Sequence, residues 1–240
     1  MAIGLSIVVP AYNEEASLVS AVRYMAGELA TLPVPGEMVI VDDGSTDRTG
    51  ELADELAGSI RGVRAVHHAV NQGWGQAVRT GIANCKHEYL VLSPVDSPLS
   101  AAELTAFLEA APDADIVAGY RTRRAGYPTW LSLGSRGYHH LVSAMFGLRV
   151  RDVNWVHLYR RTAIESLPLR LSGIAFPAEV LARATRRGFR IVEVRCEMRP
   201  RVTGRSTVTR PRVIARALRD VVGLWRELRR ASSAAGGRLR

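Results

Sequence analysis

Alternation of short apolar runs with helix-period segments governs what this chain can become. Residues 5–10, 37–41, 63–67, 89–92 and 116–118 are short and rich in Val, Ile, Leu and Ala, as buried strands are. Between them, 14–30, 46–56, 75–84 and 100–110 place apolar residues at helical spacing. Ser100 with Glu103 three residues on is a capping-box pattern opening the last of these. Strands separated by helices pair in parallel through crossovers, so the pattern predicts an α/β fold with one mostly parallel, doubly wound sheet. In such sheets ligands bind beyond the carboxyl ends of the strands.

The second half is less regular. The spacing predicts a helix over 130–146, a strand over 153–159, a helix over 177–187 with Pro177 in its first turn, and a strand over 191–194. An Arg-rich polar loop, 199–210, precedes an amphipathic helix over 211–230. There Val213, Ile214, Ala217, Leu218, Val221, Leu224, Trp225 and Leu228 share one face, and Arg212, Arg216, Arg219, Arg226 and Arg230 the other. The expected organisation is one domain over 1–210, a basic helix over 211–231 and a disordered tail over 232–240.

With 47% hydrophobic and 23% charged residues the chain is globular in composition, which excludes wholesale disorder. Cys85 and Cys196 stand far apart and form no CxxC, so neither a disulfide framework nor a zinc site is expected. No window approaches about 20 consecutive apolar residues and the start lacks a basic leader, so a cytosolic protein is expected. The net charge of +9 is concentrated. Residues 199–240 hold 12 Arg against Asp220 and Glu227, a net +10, while the rest sums to −1. Such a cationic end suits anionic lipid, a phosphate-bearing acceptor or nucleic acid. The near-neutral body, the 6% aromatic content and the lack of a nucleic-acid module speak against nucleic acid.

Four segments carry chemistry. Val9-Pro10-Ala11-Tyr12-Asn13-Glu14-Glu15 ends the first strand. Asp42-Asp43-Gly44-Ser45-Thr46-Asp47 ends the second. Adjacent acids there can accept from a nucleobase N–H or a ribose hydroxyl, although Ser45, Thr46 and Asp47 would equally serve a helix cap and turn. In Asn71-Gln72-Gly73-Trp74-Gly75, glycines before a helix let backbone approach a phosphate. In Ser93-Pro94-Val95-Asp96-Ser97-Pro98, one carboxylate could hold a divalent cation against a diphosphate, or form an Asx turn. The pairs His67-His68 and His139-His140 cannot share a face, which argues against metal ligation by either.

In this order and spacing, the segments resemble the family 2 glycosyltransferases with the nucleotide-sugar-binding A-type fold, a Rossmann-like doubly wound mixed sheet. Residues 5–206 resemble its polyprenyl-phosphate (dolichyl-phosphate) mannose synthase branch, through Asp115 to Arg121, Ser135-Arg136-Gly137-Tyr138, Phe146 to Asp152, Leu158 to Arg161, Ala178 to Arg183 and Arg199 to Ser206. The resemblance implies inverting transfer of a hexose, mannose from GDP-mannose, onto a polyprenyl monophosphate. A UDP-sugar donor, a small-molecule acceptor or a non-catalytic nucleotide-sugar binder are the alternatives.

The resemblance also implies roles for single residues. Pro10, Tyr12 and Glu14 line the nucleobase pocket, Asp42 or Asp43 reads base or ribose, and Asn71, Gly73 and Gly75 complete the donor site. Asp96 holds Mg²⁺ or Mn²⁺. Arg121, Ser135, Arg136, Arg201, Arg205 and Ser206 surround the phosphates of donor and acceptor. Asp96, Arg121 and Glu179 stand at the reacting centre. Two departures are visible. Pro94 and Pro98 occupy positions of the family's metal motif, removing up to two ligands. After Asp152 the chain is one residue short, and His157 either replaces a basic residue or packs. A lipid acceptor places the protein at the inner face of the membrane, with the 211–230 helix on an anionic surface or on a membrane-embedded partner subunit.

Overall fold

A computed structural model describes residues 3–121, 129–196 and 211–236. Seven strands form one sheet: β1 (Leu5–Ala11), β2 (Gly36–Asp42), β3 (Val63–His67), β4 (Tyr89–Leu92), β5 (Ile116–Arg121), β6 (His157–Arg160) and β7 (Ile191–Cys196). Their order is β3-β2-β1-β4-β6-β5-β7. All neighbours pair in parallel except β6, which runs antiparallel to both β4 and β5. The sheet is therefore mixed.

Side chains alternate along β1 and so divide the core in two. Leu5, Ile7 and Val9 face a cluster with α1 (Leu18–Ala30), α2 (Thr49–Ser59) and α4 (Ala101–Ala110). Val8 faces the opposite cluster with α3 (Trp74–Asn84), α5 (Thr129–Phe146), α6 (Arg161–Ser166) and α7 (Phe176–Arg186). Gly81 of α3 lies flush on Val8, where a methyl group would collide with the valine side chain. The capping box forms as the sequence predicts: the Ser100 hydroxyl accepts from the Glu103 N–H, and the Glu103 carboxylate accepts from the Ser100 N–H at 3.1 Å.

Several boundaries differ from expectation. Residues 14–17 form a turn, and α1 begins at Leu18. The strand expected over 153–159 is confined to β6, with α6 following directly. Of the tail expected to be disordered over 232–240, residues 237–240 lie outside the described residues. The last helix, α8 (Pro211–Gly236), continues through Ser232-Ser233-Ala234-Ala235, residues compatible with a helix.

Nor is α8 an appendage. Ala217, Val221, Leu224 and Leu228 are buried, with Val221 in the cluster of Val180 and with Leu224 and Leu228 in that of Ala182 and Phe146. The apolar face read from sequence is split, because Ile214 and Leu218 remain exposed. Among the described residues, no helix is long and apolar enough to cross a membrane.

At the amino end of the sheet the buried Glu37 carboxylate accepts from the Ser6 hydroxyl at 2.8 Å, Arg64 Nη2 at 2.9 Å and the Lys86 N–H at 2.6 Å. Burial alone would raise its pKa, but these donors outweigh it and the pKa is lowered. A depressed folded-state pKa stabilises above the unfolded carboxyl value and ceases to do so as pH falls through the folded value. Glu37→Gln should therefore lose roughly 1.5–3 kcal/mol at pH 7. It should also flatten the fall of the urea midpoint below pH 5. An unchanged acid slope would show that this carboxylate does not govern it.

Candidate donor site

The carboxyl ends of β1, β2 and β4 open on one edge, and the loops that follow β1 and β2 are stitched together there. Asn13 adopts a left-handed backbone, φ 54°, rare for any residue but tolerated by asparagine. Its N–H donates to Ser45 Oγ at 3.0 Å and its Oδ1 accepts from the Thr46 N–H at 2.9 Å. The Glu14 N–H donates to Thr49 Oγ1 at 2.7 Å, the Glu15 N–H to Asp47 Oδ2 at 3.3 Å, and Glu15 Oε2 accepts from the Arg48 N–H at 3.1 Å. Tyr12 projects from this frame, 45% exposed, beside the half-buried Pro10. The Glu14 carboxylate accepts from the Ser17 hydroxyl at 2.6 Å.

The adjacent acids point inward. Asp42 Oδ1 accepts from the Ser45 N–H at 3.1 Å, and its Oδ2 lies 3.1 Å from His67 Nδ1. Asp43 Oδ1 lies 2.7 Å from His68 Nδ1 and accepts from the Gln72 N–H at 2.9 Å, while Oδ2 accepts from the Gly73 N–H at 2.8 Å. Asp43 is thus engaged with its own chain, where it holds the 71–73 segment. The role of the two histidines was missed. Asp42 and His67 are register partners on parallel strands, so Asp42-Asp43 meets His67-His68 with successive residues on opposite faces. Two such dipeptides at neighbouring strand ends were the available signal. Partial burial works against charge on His67, but Asp42 and Asp54 outweigh it and raise its pKa.

The glycine segment packs on another stretch of the chain's own backbone. Gly73 (φ 91°) caps α3, and the Gly75 N–H donates to the Ser172 carbonyl at 2.9 Å. A methyl group on Gly75 would lie 2.5 Å from the Leu171 carbonyl oxygen. These glycines admit the chain's own 171–172 backbone. Asn71 beside them is exposed, and Trp74 sits at the rim with its ring edge-on to Phe176, centroids 5.7 Å apart.

Glu179 is not at the surface of the site. It is 0% exposed, and its carboxylate accepts from the Arg170 and Leu171 N–H groups at 2.8–3.1 Å and from Arg183 Nε at 2.9 Å. Every oxygen is committed to fixing the 170–171 backbone, so Glu179 is a positioning residue. Arg121 is likewise consumed. It forms a bidentate pair with Asp152, at 2.7 and 3.2 Å, and lies 4.6 Å over the Trp155 ring. It shapes the wall where β5 ends. His157 is fully buried, with Nε2 3.2 Å from the Val153 carbonyl. Burial pushes its pKa down, which holds it neutral and removes it as a replacement cation.

Ser135 is half-buried and Arg136 exposed on α5. Arg201, Arg205 and Ser206 lie outside the described residues. Asp96 follows β4, half-buried between Pro94 and Pro98. Among the described residues, no three His, Cys, Asp or Glu side chains gather as a metal cage. A lone hard oxygen donor at a strand end nevertheless fits a divalent ion of Mg²⁺ type, whose octahedron is filled mainly by diphosphate oxygens and water.

A model of glycosyl transferase family 2 matches residues 6–167. The chain belongs to that family. The match spans the stitched loops, the glycine segment, Asp96 and the Arg121–Asp152 wall. Among relatives of this family 2 member is the undecaprenyl-phosphate mannosyltransferase of Micrococcus luteus, 28% identical over 213 residues, covering 84% of this chain and 86% of that one. The undecaprenyl-phosphate 4-deoxy-4-formamido-L-arabinose transferase of Pseudomonas paraeruginosa is 30% identical over 167 residues, 68% of this chain and 49% of that one. In fold, it is similar to glucosyl-3-phosphoglycerate synthase of Mycobacterium tuberculosis, crystallised with Mn²⁺, UDP-glucose and phosphoglyceric acid. That likeness has a TM-score of 0.73 at 19% identity, over 93% of this chain and 80% of that one. The fold is the A-type fold expected from sequence.

Proposed function

We propose that this family 2 glycosyltransferase moves a hexose from a nucleotide sugar onto a polyprenyl monophosphate, with GDP-mannose as donor. The observation that carries the reading is the near end-to-end match to an undecaprenyl-phosphate mannosyltransferase. It is supported by the stitched loops at the carboxyl ends of β1 and β2, where Tyr12, Pro10 and Asn71 face solvent beside a rigid frame.

The acceptor phosphate oxygen attacks the anomeric carbon in line, the bond to the diphosphate oxygen breaks, and the nucleoside diphosphate leaves with inversion. A phosphate monoester has a second pKa of about 6 and is largely ionised at neutral pH, so the nucleophile needs no strong base. That agrees with Glu179 being locked inside the body. Asp96 would hold Mg²⁺ or Mn²⁺, which supplies charge neutralisation at the leaving diphosphate. Arg136 on α5, together with Arg201, Arg205 and Ser206, is proposed for the phosphates of donor and acceptor. Positioning and charge neutralisation then supply catalysis.

The membrane is met through the outward stripe of α8. Ile214, Leu218 and Val222 are exposed on α8, which also exposes Arg212, Arg219 and Arg226. Next to it, Leu141, Ala144, Met145, Phe146, Trp225 and Leu228 line a groove of about 830 Å³. Apolar contact with the interface and attraction to anionic lipid, about 1 kcal/mol per basic residue, act together there. A membrane-embedded partner subunit is the other occupant this stripe fits.

A donor screen tests the whole reading. Purified protein, Mg²⁺ or Mn²⁺ and polyprenyl phosphate are offered GDP- and UDP-sugars, with nucleotide release measured. GDP release from GDP-mannose, dependent on lipid phosphate, is expected. UDP release would correct the donor base. Nucleotide binding without turnover on any donor would favour the non-catalytic binder that Pro94 and Pro98 suggest. Flotation with anionic vesicles at low salt tests the membrane stripe, and failure to float would favour the partner subunit.

A further inference from the structure

We infer that residues 170–173 form a strap setting the shape of the donor site, and that α8 holds this strap through an ionic relay from surface Glu227 to the buried pair Arg183 and Glu179. The inference rests on the reading of the β1–β2–β4 edge as a nucleotide site. It adds positioning residues that the reaction scheme does not contain.

The relay is continuous. Glu227 on α8 accepts from Arg183 Nη2 at 3.1 Å. Arg183 reaches Glu179 on its own helix at 2.8 Å. Glu179 fixes the Arg170 and Leu171 N–H groups, leaving the carbonyls of Leu171 and Ser172 directed at α3. The Leu171 carbonyl accepts from Arg79 Nη1 at 2.7 Å, and the Ser172 carbonyl from the Gly75 N–H at 2.9 Å. Gly73, two residues before Gly75, donates to Asp43, which also holds Gln72. A second tie runs from α8 directly, Arg216 Nη2 to Ser172 Oγ at 3.3 Å.

The chemistry of the relay favours a positional role. Glu179 and Arg183 are almost completely buried, and an ion pair there is held at a desolvation penalty that an apolar pair would not incur. What the ions do, and an apolar pair could not, is orient two backbone N–H groups. Those groups decide where the 171–172 carbonyls stand, and the carbonyls decide where the N-terminus of α3 and the 71–73 segment stand. Glu227 is the outer terminal of the relay, with its side chain 42% exposed. A change at this surface carboxylate should therefore be felt at the donor site.

Two variants test this, with nucleotide affinity as the readout. Calorimetry of GDP and of UDP with Mg²⁺ is run well below each variant's thermal midpoint, so only folded protein is measured. Gly75→Ala pushes a methyl group against the Leu171 carbonyl. Glu227→Gln weakens the outer terminal without touching the interior. Each should raise the nucleotide Kd, within the roughly two- to thirtyfold range of coupled positions. Each should also raise donor KM more than it lowers kcat. Gly58→Ala, a helix glycine with open space around it, is the control and should leave Kd unchanged.

A purely structural relay would lower the thermal midpoint and leave Kd and donor KM alone, and that outcome overturns the inference. Should Gly75→Ala fail to fold, Glu227→Gln decides alone. Wild-type protein that binds neither GDP nor UDP would remove the donor-site reading and the strap with it. Wild-type binding matched by both variants would remove only the strap.

Discussion

Glu179→Ala should remove a large part of this protein's stability. The substitution leaves Arg183 charged and buried and strips the Arg170 and Leu171 N–H groups of their acceptor. Breaking one side of a buried pair costs about 3–5 kcal/mol, against a total of roughly 5–15 for a folded domain. Urea denaturation followed by circular dichroism should show the loss directly. A second variant separates charge burial from packing. Glu179→Leu with Arg183→Met, which removes both ions, should recover much of the midpoint although the strap loses its anchor. A single Glu179→Ala variant within about 1 kcal/mol of wild type would mean that the interior tolerates the bare cation, and the positional role would lose its basis.

Asp96→Asn should leave the fold intact and lower sugar transfer by about a hundredfold or more. The residue is half-buried in a loop after β4, so the near-isosteric amide disturbs little packing. An amide oxygen is a weak partner for a hard divalent ion, and charge stabilisation at a leaving diphosphate is a matter of several kcal/mol. The thermal midpoint should stay close to wild type while turnover falls. The dependence of nucleotide affinity on Mg²⁺ should also weaken. Near-normal turnover by a folded variant would remove Asp96 from the leaving group and transfer that duty to arginine.

The parts of the fold visible in sequence are those governed by local pattern. Val, Ile and Leu runs located β1 to β5, and Ser100 with Glu103 located the start of α4 to the residue. The position of β6 was hidden. It is four residues long, and its antiparallel place between β4 and β5 depends on pairing Leu158 with Val91 and with Val117, distant in the chain. Hydrophobic pattern reports burial, and it does not report which strands meet.

The site was legible in the same uneven way. The chemistry-bearing segments lie at strand ends, as the pattern predicts, but the partners of their charged side chains were not legible. Asp43, Glu179 and the Arg121–Asp152 pair all turn inward, because each finds a local donor or acceptor that sequence spacing cannot reveal. Polar residues beside a ligand pocket are as often its scaffolding as its lining.

The divided faces of α8 link folding to docking. Its inner face is part of the core, so the native fold sets where the outer face stands. An occupant that needs Ile214, Leu218 and Val222 in this placement therefore recognises folded protein. By mass action such an occupant adds to native stability in proportion to RT ln(1 + [L]/Kd), about 2.7 kcal/mol at a hundred times its Kd. Removing α8 would do the reverse, uncovering Val180 and Ala182. The helix is thus a thermal sensor of its own surroundings, and the protein's melting temperature reports whether its outer face is covered.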